Sequence, residues 1–430
     1  MLSISTRWAK RTPNLQMHFC CFSTREGGRS SSSSLRRRHP PHCSGEESHA
    51  QPATMAEAAS AERAALLLPG LPDEISIWEI LVGLPPKALL RCRAVCRAWC
   101  RATSTRDFLL AHHARQPALP LLYIYNCVGN NIRSLDIIPF DRRAGVAADD
   151  QLRPVARLCQ APFCAMASWD GLLLCFTNDC CYALCNPATR QYARLPFLPG
   201  SVPLGVYSHS PTGEYRLLLY RFATGPGPDA QGGTFVLVLG SGQPPRSIGC
   251  PDARELLSIP SVLFRGGLHW HKEQNERIVV FDTTTELFRH MRVPVVFFSR
   301  CTNLFEMDGM LGVSSFNYAA ATIDIWMAQD YKSEVWSNKY HVELPVAELT
   351  VRFGRFNTRG FGVVASSDGH LLMLLKFSDW LLQVDMDGKL VASFHCKGLA
   401  YTRFCLKQTL VSHTFFPALQ RYVVNAKPFI

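Results

Sequence analysis

Apolar residues in the early part of the chain recur at helical spacing. Ile75, Trp78, Leu81 and Val82 fall three, three and one apart, the stripe of an amphipathic helix. Pro72 and Asp73 mark its start, with Asp73 and Glu74 in the first turn, where the helix dipole favours acid. Gly83 ends it, and Pro85-Pro86 opens the next. Leu89, Cys92, Cys96 and Trp99 then form a second apolar stripe, and Arg93, Arg97 and Arg101 recur every four residues beside it. From residue 116 the pattern changes. Short runs of Val, Leu, Ile, Phe and Tyr alternate with Gly, Pro, Asn and Asp, which predicts strands and turns. Examples are Leu121–Val128, Leu172–Phe176, Tyr215–Phe222, Thr234–Leu239, Ile278–Phe281, Ile323–Met327, Leu371–Phe377 and Leu381–Val384.

The β region repeats itself. A Gly opens a short apolar strand at Gly171, Gly267, Gly309 and Gly369, with Gly213 as a degenerate copy. A second strand follows and ends on a turn residue: Asn186, Asp282, Asp324 (within Ile-Asp-Ile-Trp) and Asp385. The copies recur at the period of a propeller blade, and radial stacking of such small sheets leaves few free edges. The predicted fold class is α+β multidomain: a small helical unit followed by an all-β, propeller-like repeat domain, with a two-sheet sandwich as the alternative.

Composition adds a third part. Residues 1–65 hold a serine run (Ser30–Ser34), the triplet Arg36-Arg37-Arg38 and an Ala-rich stretch. Such a segment buries too little apolar surface to offset its ordering entropy, so it is expected to be a disordered extension. A transit peptide or a nuclear signal is the other reading. The expected division is therefore 1–65, 66–115 and 116–430. The net charge of +11 concentrates toward the N-terminus, and residues 116–430 are nearly balanced. That gives little ground for a nucleic-acid partner. No run of 18 apolar residues suggests a membrane span.

Motifs for nucleotide binding, zinc proteases and nucleophile elbows are missing from the sequence. Three constellations invite sharper readings. Cys92, Cys96 and Cys100 sit at helical spacing as candidate soft ligands, but no fourth ligand accompanies them, and small buried thiols are the simpler reading. His269 and His271 flank Trp270 on a predicted strand, where both point to one face, again without a third ligand. Arg93, Arg97 and Arg101 form a basic row that reads first as a solvated helix face. No catalytic residue, metal or cofactor is expected.

Taken together, Leu71-Pro72-Asp73-Glu74-Ile75, Ile80-Leu81, Leu84-Pro85-Pro86, Leu89-Leu90, Val95-Cys96 and Trp99, followed by Phe108 and His112, resemble the F-box motif of plant-type F-box proteins. The repeat region from about 165 to 396 is similar to the family's F-box-associated domain, through Ser168-Trp169-Asp170-Gly171, Cys185-Asn186-Pro187-Ala188-Thr189, Gly267-Leu268-His269-Trp270 and Phe281-Asp282-Thr283. The resemblance implies a three-helix F-box and a propeller-like module. It implies a Skp-type adaptor as partner, through it a cullin scaffold, and a protein substrate of unknown identity. Adaptor contacts are expected from Leu71, Pro72, Ile75, Ile80, Leu81, Leu84, Pro85, Leu89, Leu90, Val95, Cys96 and Trp99, some of which must instead form the unit's own core. A double substitution at Leu84 and Trp99 is expected to abolish docking. The expected localisation is nucleus and/or cytoplasm. Two other functions stay open: a propeller-type carbohydrate binder or hydrolase using Trp169, Trp270, Trp326, Trp336 and Trp380, and an organellar RNA binder.

Overall fold

The computed structural model describes residues 73–128, 131–141, 152–159, 164–177, 179–223, 232–249, 253–257, 259–271, 277–293, 302–317, 319–355, 362–365 and 371–430. The expected extension 1–65, together with Leu71 and Pro72, lies outside them.

The chain enters through a helical stretch of uneven pitch: α1 (Asp73–Ile75), π turns over Ser76–Ile80 and a 3-10 turn over Leu81–Gly83. Three short helices follow: α2 (Pro86–Cys92), α3 (Arg97–Thr103) and α4 (Arg106–Arg115). The predicted single helix through Trp99 is thus two. Cys96 is extended (φ −152°), and its thiol accepts the Trp99 N–H at 3.4 Å as the cap of α3. The turn over Arg93–Val95 occupies about the same count as one helical turn, so the apolar spacing runs through it unbroken. Cys92, Cys96 and Cys100 therefore do not share one helix face. The basic row is broken too. Arg93 folds back onto Thr103, donating from Nε to Oγ1 at 3.1 Å and from Nη2 to the carbonyl oxygen at 2.5 Å.

Six small antiparallel sheets follow. Blade 1 contains β1 (Ala118–Val128), β2 (Asn131–Pro139) and β3 (Ala156–Cys159). Blade 2 contains β4 (Cys164–Trp169), β5 (Leu172–Phe176), β6 (Tyr182–Asn186) and β7 (Gln191–Arg194). Blade 3 contains β8 (Ser201–His209), β9 (Glu214–Arg221), β10 (Gly233–Val238) and β11 (Arg246–Ser247). Blade 4 contains β12 (Val262–Phe264), β13 (Gly267–His271), β14 (Arg277–Asp282) and β15 (Phe288–Arg292). Blade 5 contains β16 (Thr302–Met307), β17 (Met310–Asn317), β18 (Thr322–Asp330) and β19 (Val335–Glu343). After α5 (Val346–Phe353), blade 6 contains β20 (Gly362–Ala365), β21 (Leu371–Phe377), β22 (Trp380–Val384) and β23 (Leu390–His395). The chain then returns. β24 (Leu399–Lys407) becomes the first strand of blade 1 by pairing with β1, and β25 (Gln420–Val424) adds a fifth strand to blade 2 outside β7.

Six apolar cores separate the sheets, one between each neighbouring pair, including blades 6 and 1. The sheets therefore form a closed six-bladed propeller. This explains the uninterrupted apolar runs. In β21, Met373 and Leu375 face blade 5 while Leu372 and Leu374 face blade 1. A strand covered on both faces has no reason to alternate.

Because strands alternate in direction, each blade's first and third connections fall on one face of the ring, here called the turn face. The second connections and the blade-to-blade crossings fall on the other, the crossover face. The sequence repeat marks the turn face. Asp170-Gly171 (φ 45°, 80°), Arg265-Gly266 (45°, 73°) and Asp308-Gly309 (50°, 69°) are two-residue turns with both residues left-handed, the geometry that matches strand twist. The turn residue of the blade 4 copy is Gly266, and Gly267 opens the strand. The Gly369 copy lies outside the described residues. Asn186, Asp282 and Asp385 head the third connections, their side chains accepting backbone N–H groups at 2.8–3.2 Å. In blade 5 that place belongs to Asp330, not Asp324. Asp324 lies within β18 and accepts from His341 Nδ1 at 2.7 Å.

Candidate adaptor-docking site

The helical unit has a small core of its own. Leu81, Val82, Leu89 and Phe108 are buried together, with Ile77, Leu84, Cys92, Trp99 and Leu109 packed around them. The carbonyl of Leu84 ties the α1–α2 connection to α4, accepting from His112 Nε2 at 2.8 Å and Gln116 Nε2 at 3.1 Å. Burial holds His112 below its ordinary pKa, so the ring is neutral and carries its proton on Nε2 to make that bond.

One side of this unit rests on the propeller. Leu410, from the segment after β24, completes the helical core, and Ala188, from the turn after β6, packs against it. His113 Nε2 meets Asp170 Oδ1 at 3.2 Å. Asp170, Ala188 and Leu410 all belong to the turn face at blade 2. Nothing local in the sequence marks them as a seat, because the contacts join residues from 57 positions apart, for His113 and Asp170, to about 300 for Leu410.

The expected contact residues separate into two groups. Leu81 and Leu89 are buried in the unit's own core, and Leu84 and Trp99 pack against it. All four hold the helices together; Leu81 and Leu89 offer no docking surface, while Leu84 and Trp99 are half-buried. The Leu84/Trp99 double substitution therefore probes folding before it probes docking. Ile75, Ile80, Leu90 and Val95 are 37–63% exposed, as are Trp78 and Leu110, which the expected contact set omits. Pro85 and Cys96 are half-buried. Large apolar side chains left in water around a closed core are the mark of a surface awaiting a partner.

The other candidate chemistry is structural. His269 lies in β13, its Nδ1 donating to Gly267 O at 2.9 Å and its Nε2 hydrogen-bonded to Tyr331 Oη at 2.7 Å, beside the fully buried Trp270. Among the described residues no group of three His, Cys, Asp or Glu side chains is placed to hold a metal. The five tryptophans of the carbohydrate reading are spread over four blades: Trp169 in β4, Trp270 in β13, Trp326 and Trp336 in β18 and β19, and Trp380 in β22. They build no common platform.

A helical docking unit seated on a six-bladed propeller defines a modular recognition protein. Comparison with known proteins gives its family. Residues 146–417 match the F-box associated beta propeller domain, and residues 68–115 match the F-box-like domain. The chain belongs to the F-box proteins that carry this associated propeller. An F-box protein of Arabidopsis thaliana is 27% identical over 296 residues, covering 62% of this chain and 77% of the relative. An F-box/LRR-repeat protein of the same plant is 25% identical over 289 residues, covering 62% and 66%. The F-box implies a Skp-type adaptor as partner.

Proposed function

We propose that this chain is the substrate-recognition subunit of a Skp/cullin/F-box ubiquitin ligase. The F-box docks on a Skp-type adaptor, the adaptor joins a cullin scaffold, and the propeller holds a target protein for ubiquitination. The observation that carries this reading is the set of uncovered apolar side chains, Ile75, Trp78, Ile80, Leu90 and Val95, around a unit whose own core is closed. A helical partner surface that buries them matches the helix-in-groove mode of recognition. In this reading the chain performs no bond chemistry. It raises the effective concentration of substrate lysines near the charged enzyme. It works in the nucleus or cytoplasm, where thiols stay reduced, and its described cysteines are free.

The experiment is a titration of the full chain with purified Skp-type adaptor. Ile80→Asp combined with Val95→Asp removes two apolar contacts, each contributing about 1.5–3 kcal/mol if buried in the complex. Affinity is expected to fall by roughly a hundredfold or more, with the melting temperature unchanged because both side chains are exposed. An affinity that does not move, or a wild-type chain that does not bind, sinks the assignment.

A further inference from the structure

On the crossover face a cleft opens between blades 4 and 5 at the ring axis. Its walls are Pro260, Val262 and Leu304, with Thr302, Asn303 and His271 beside them, and Arg403 also lines it. Arg403 belongs to the opposite blade, in the middle of β24, the innermost strand of blade 1. A break in the strand register sits there. Pro120 pairs with Cys405 and Leu122 with Tyr401, so Leu121 alone opposes Thr402, Arg403 and Phe404. Thr402 Oγ1 fixes the distortion, donating to Leu121 O at 2.6 Å and accepting the Phe404 N–H at 3.2 Å. Bulges of this kind re-aim a side chain and are common beside binding sites.

The charges in the channel are divided along β24. Lys407, toward the turn face, feels the carboxylates of Asp170 and Glu306. Arg403 is exposed and has no carboxylate or hydrogen-bond partner among the described residues. An unpaired guanidinium on a cleft lined both by apolar Pro260, Val262 and Leu304 and by polar Thr302, Asn303 and His271 presents a planar fork of donors that fits a carboxylate or phosphate.

We propose that this cleft is a recognition pocket for an oxyanion-bearing side chain, carboxylate or phosphate, on an extended peptide segment of the captured protein. The proposal rests on the receptor reading and names the substrate chemistry that reading leaves open. Arg403 clamps the oxyanion, and Val262 and Leu304 contact the aliphatic stem. His271 sits deep in the wall. Burial lowers its pKa to about 4, so at neutral pH it adds no second positive charge.

The test uses the full chain and three degenerate peptide libraries, identical except for a central Glu, phosphoserine or Gln. Immobilised wild-type chain is expected to retain the Glu or the phosphoserine library at least about tenfold over the Gln library, the scale of a charge-assisted hydrogen-bond pair. Which of the two is enriched distinguishes carboxylate from phosphate. Arg403→Met is expected to abolish the preference, and Arg403→Lys to restore part of it. Equal retention of all three libraries, or a preference that survives Arg403→Met, overturns the proposal. Adaptor affinity is measured on the same samples. If the preference holds but the wild-type chain does not bind adaptor, the receptor reading alone fails.

Discussion

Gly171 and Gly309 occupy equivalent left-handed positions in two blades, yet their surroundings differ. A Cβ on Gly171 would stand 2.6 Å from the carbonyl oxygen of Lys407 and against the side chain of Thr409, whereas one on Gly309 would meet open space. Gly309→Ala should therefore cost only the backbone conformation, about 1 kcal/mol. Gly171→Ala adds a collision with the strand that closes the ring and should cost about 3 kcal/mol or more, read from urea unfolding midpoints. Histidines give a second handle at this scale. Burial lowers the pKa of His269, His271 and His413 to about 4, below the value near 6.5 of the unfolded chain. Protonation thus favours the unfolded state. Their contribution is complete above about pH 6.5 and is lost as pH falls toward 4. In that window each loses up to about 1.4 kcal/mol per pH unit. Unfolding midpoints should fall steeply between pH 7 and 5. A flat profile would contradict neutral burial, and His413→Phe should flatten it in part.

Among the elements, the strands are the most legible in the sequence. Leu172–Phe176 and Leu371–Phe377 are β5 and β21 to the residue, because Gly and turn residues bracket them. The helices are less so, since three-and-four spacing does not distinguish a helix from a helix, a turn and another helix. Nor does spacing separate Leu89, which is buried, from Leu90, which is exposed. That depends on which neighbour covers each face. The α2–α3 corner depends on one side chain that spacing alone assigns to a solvated row. Arg93→Ala removes both hydrogen bonds to Thr103 and should destabilise the helical unit by about 1–3 kcal/mol. Hydrogen exchange would register this as faster opening of α2 and α3, with the propeller strands unaffected. Equal protection in both chains would show that the corner holds without it.

For the whole molecule, the decisive feature is how the ring closes. The family resemblance and the propeller-like repeat follow from repeated turns and motif order, whereas the six blades are seen only in the structure. The closure does not, because it joins the two ends of a domain about 300 residues long. β24 and β25 place the C-terminal residues in blades 1 and 2, and Phe429 is buried with its neighbour Pro428 accepting the Cys159 N–H at 2.7 Å. Deleting residues 420–430 removes β25 and this clasp. Phe429 alone is worth about 1.5–3 kcal/mol, and the melting temperature should drop by roughly 5 °C or more. Limited proteolysis should then cut first near blades 1 and 2. An unshifted melting curve would mean the ring is held shut without the clasp.

The seat of the helices on blade 2 also sets an order of events during synthesis. The helices leave the ribosome before the propeller, but Leu410, which completes their core, follows the strands of all six blades' main run. The strand that orients Leu410 is the one that seals the ring. A nascent chain therefore displays its apolar helices through nearly the whole of translation, without the residue that steadies them. The docking module is made before the ring and finished only after it. Its early partner, whether chaperone or adaptor, meets an incomplete version of the surface that the mature protein presents.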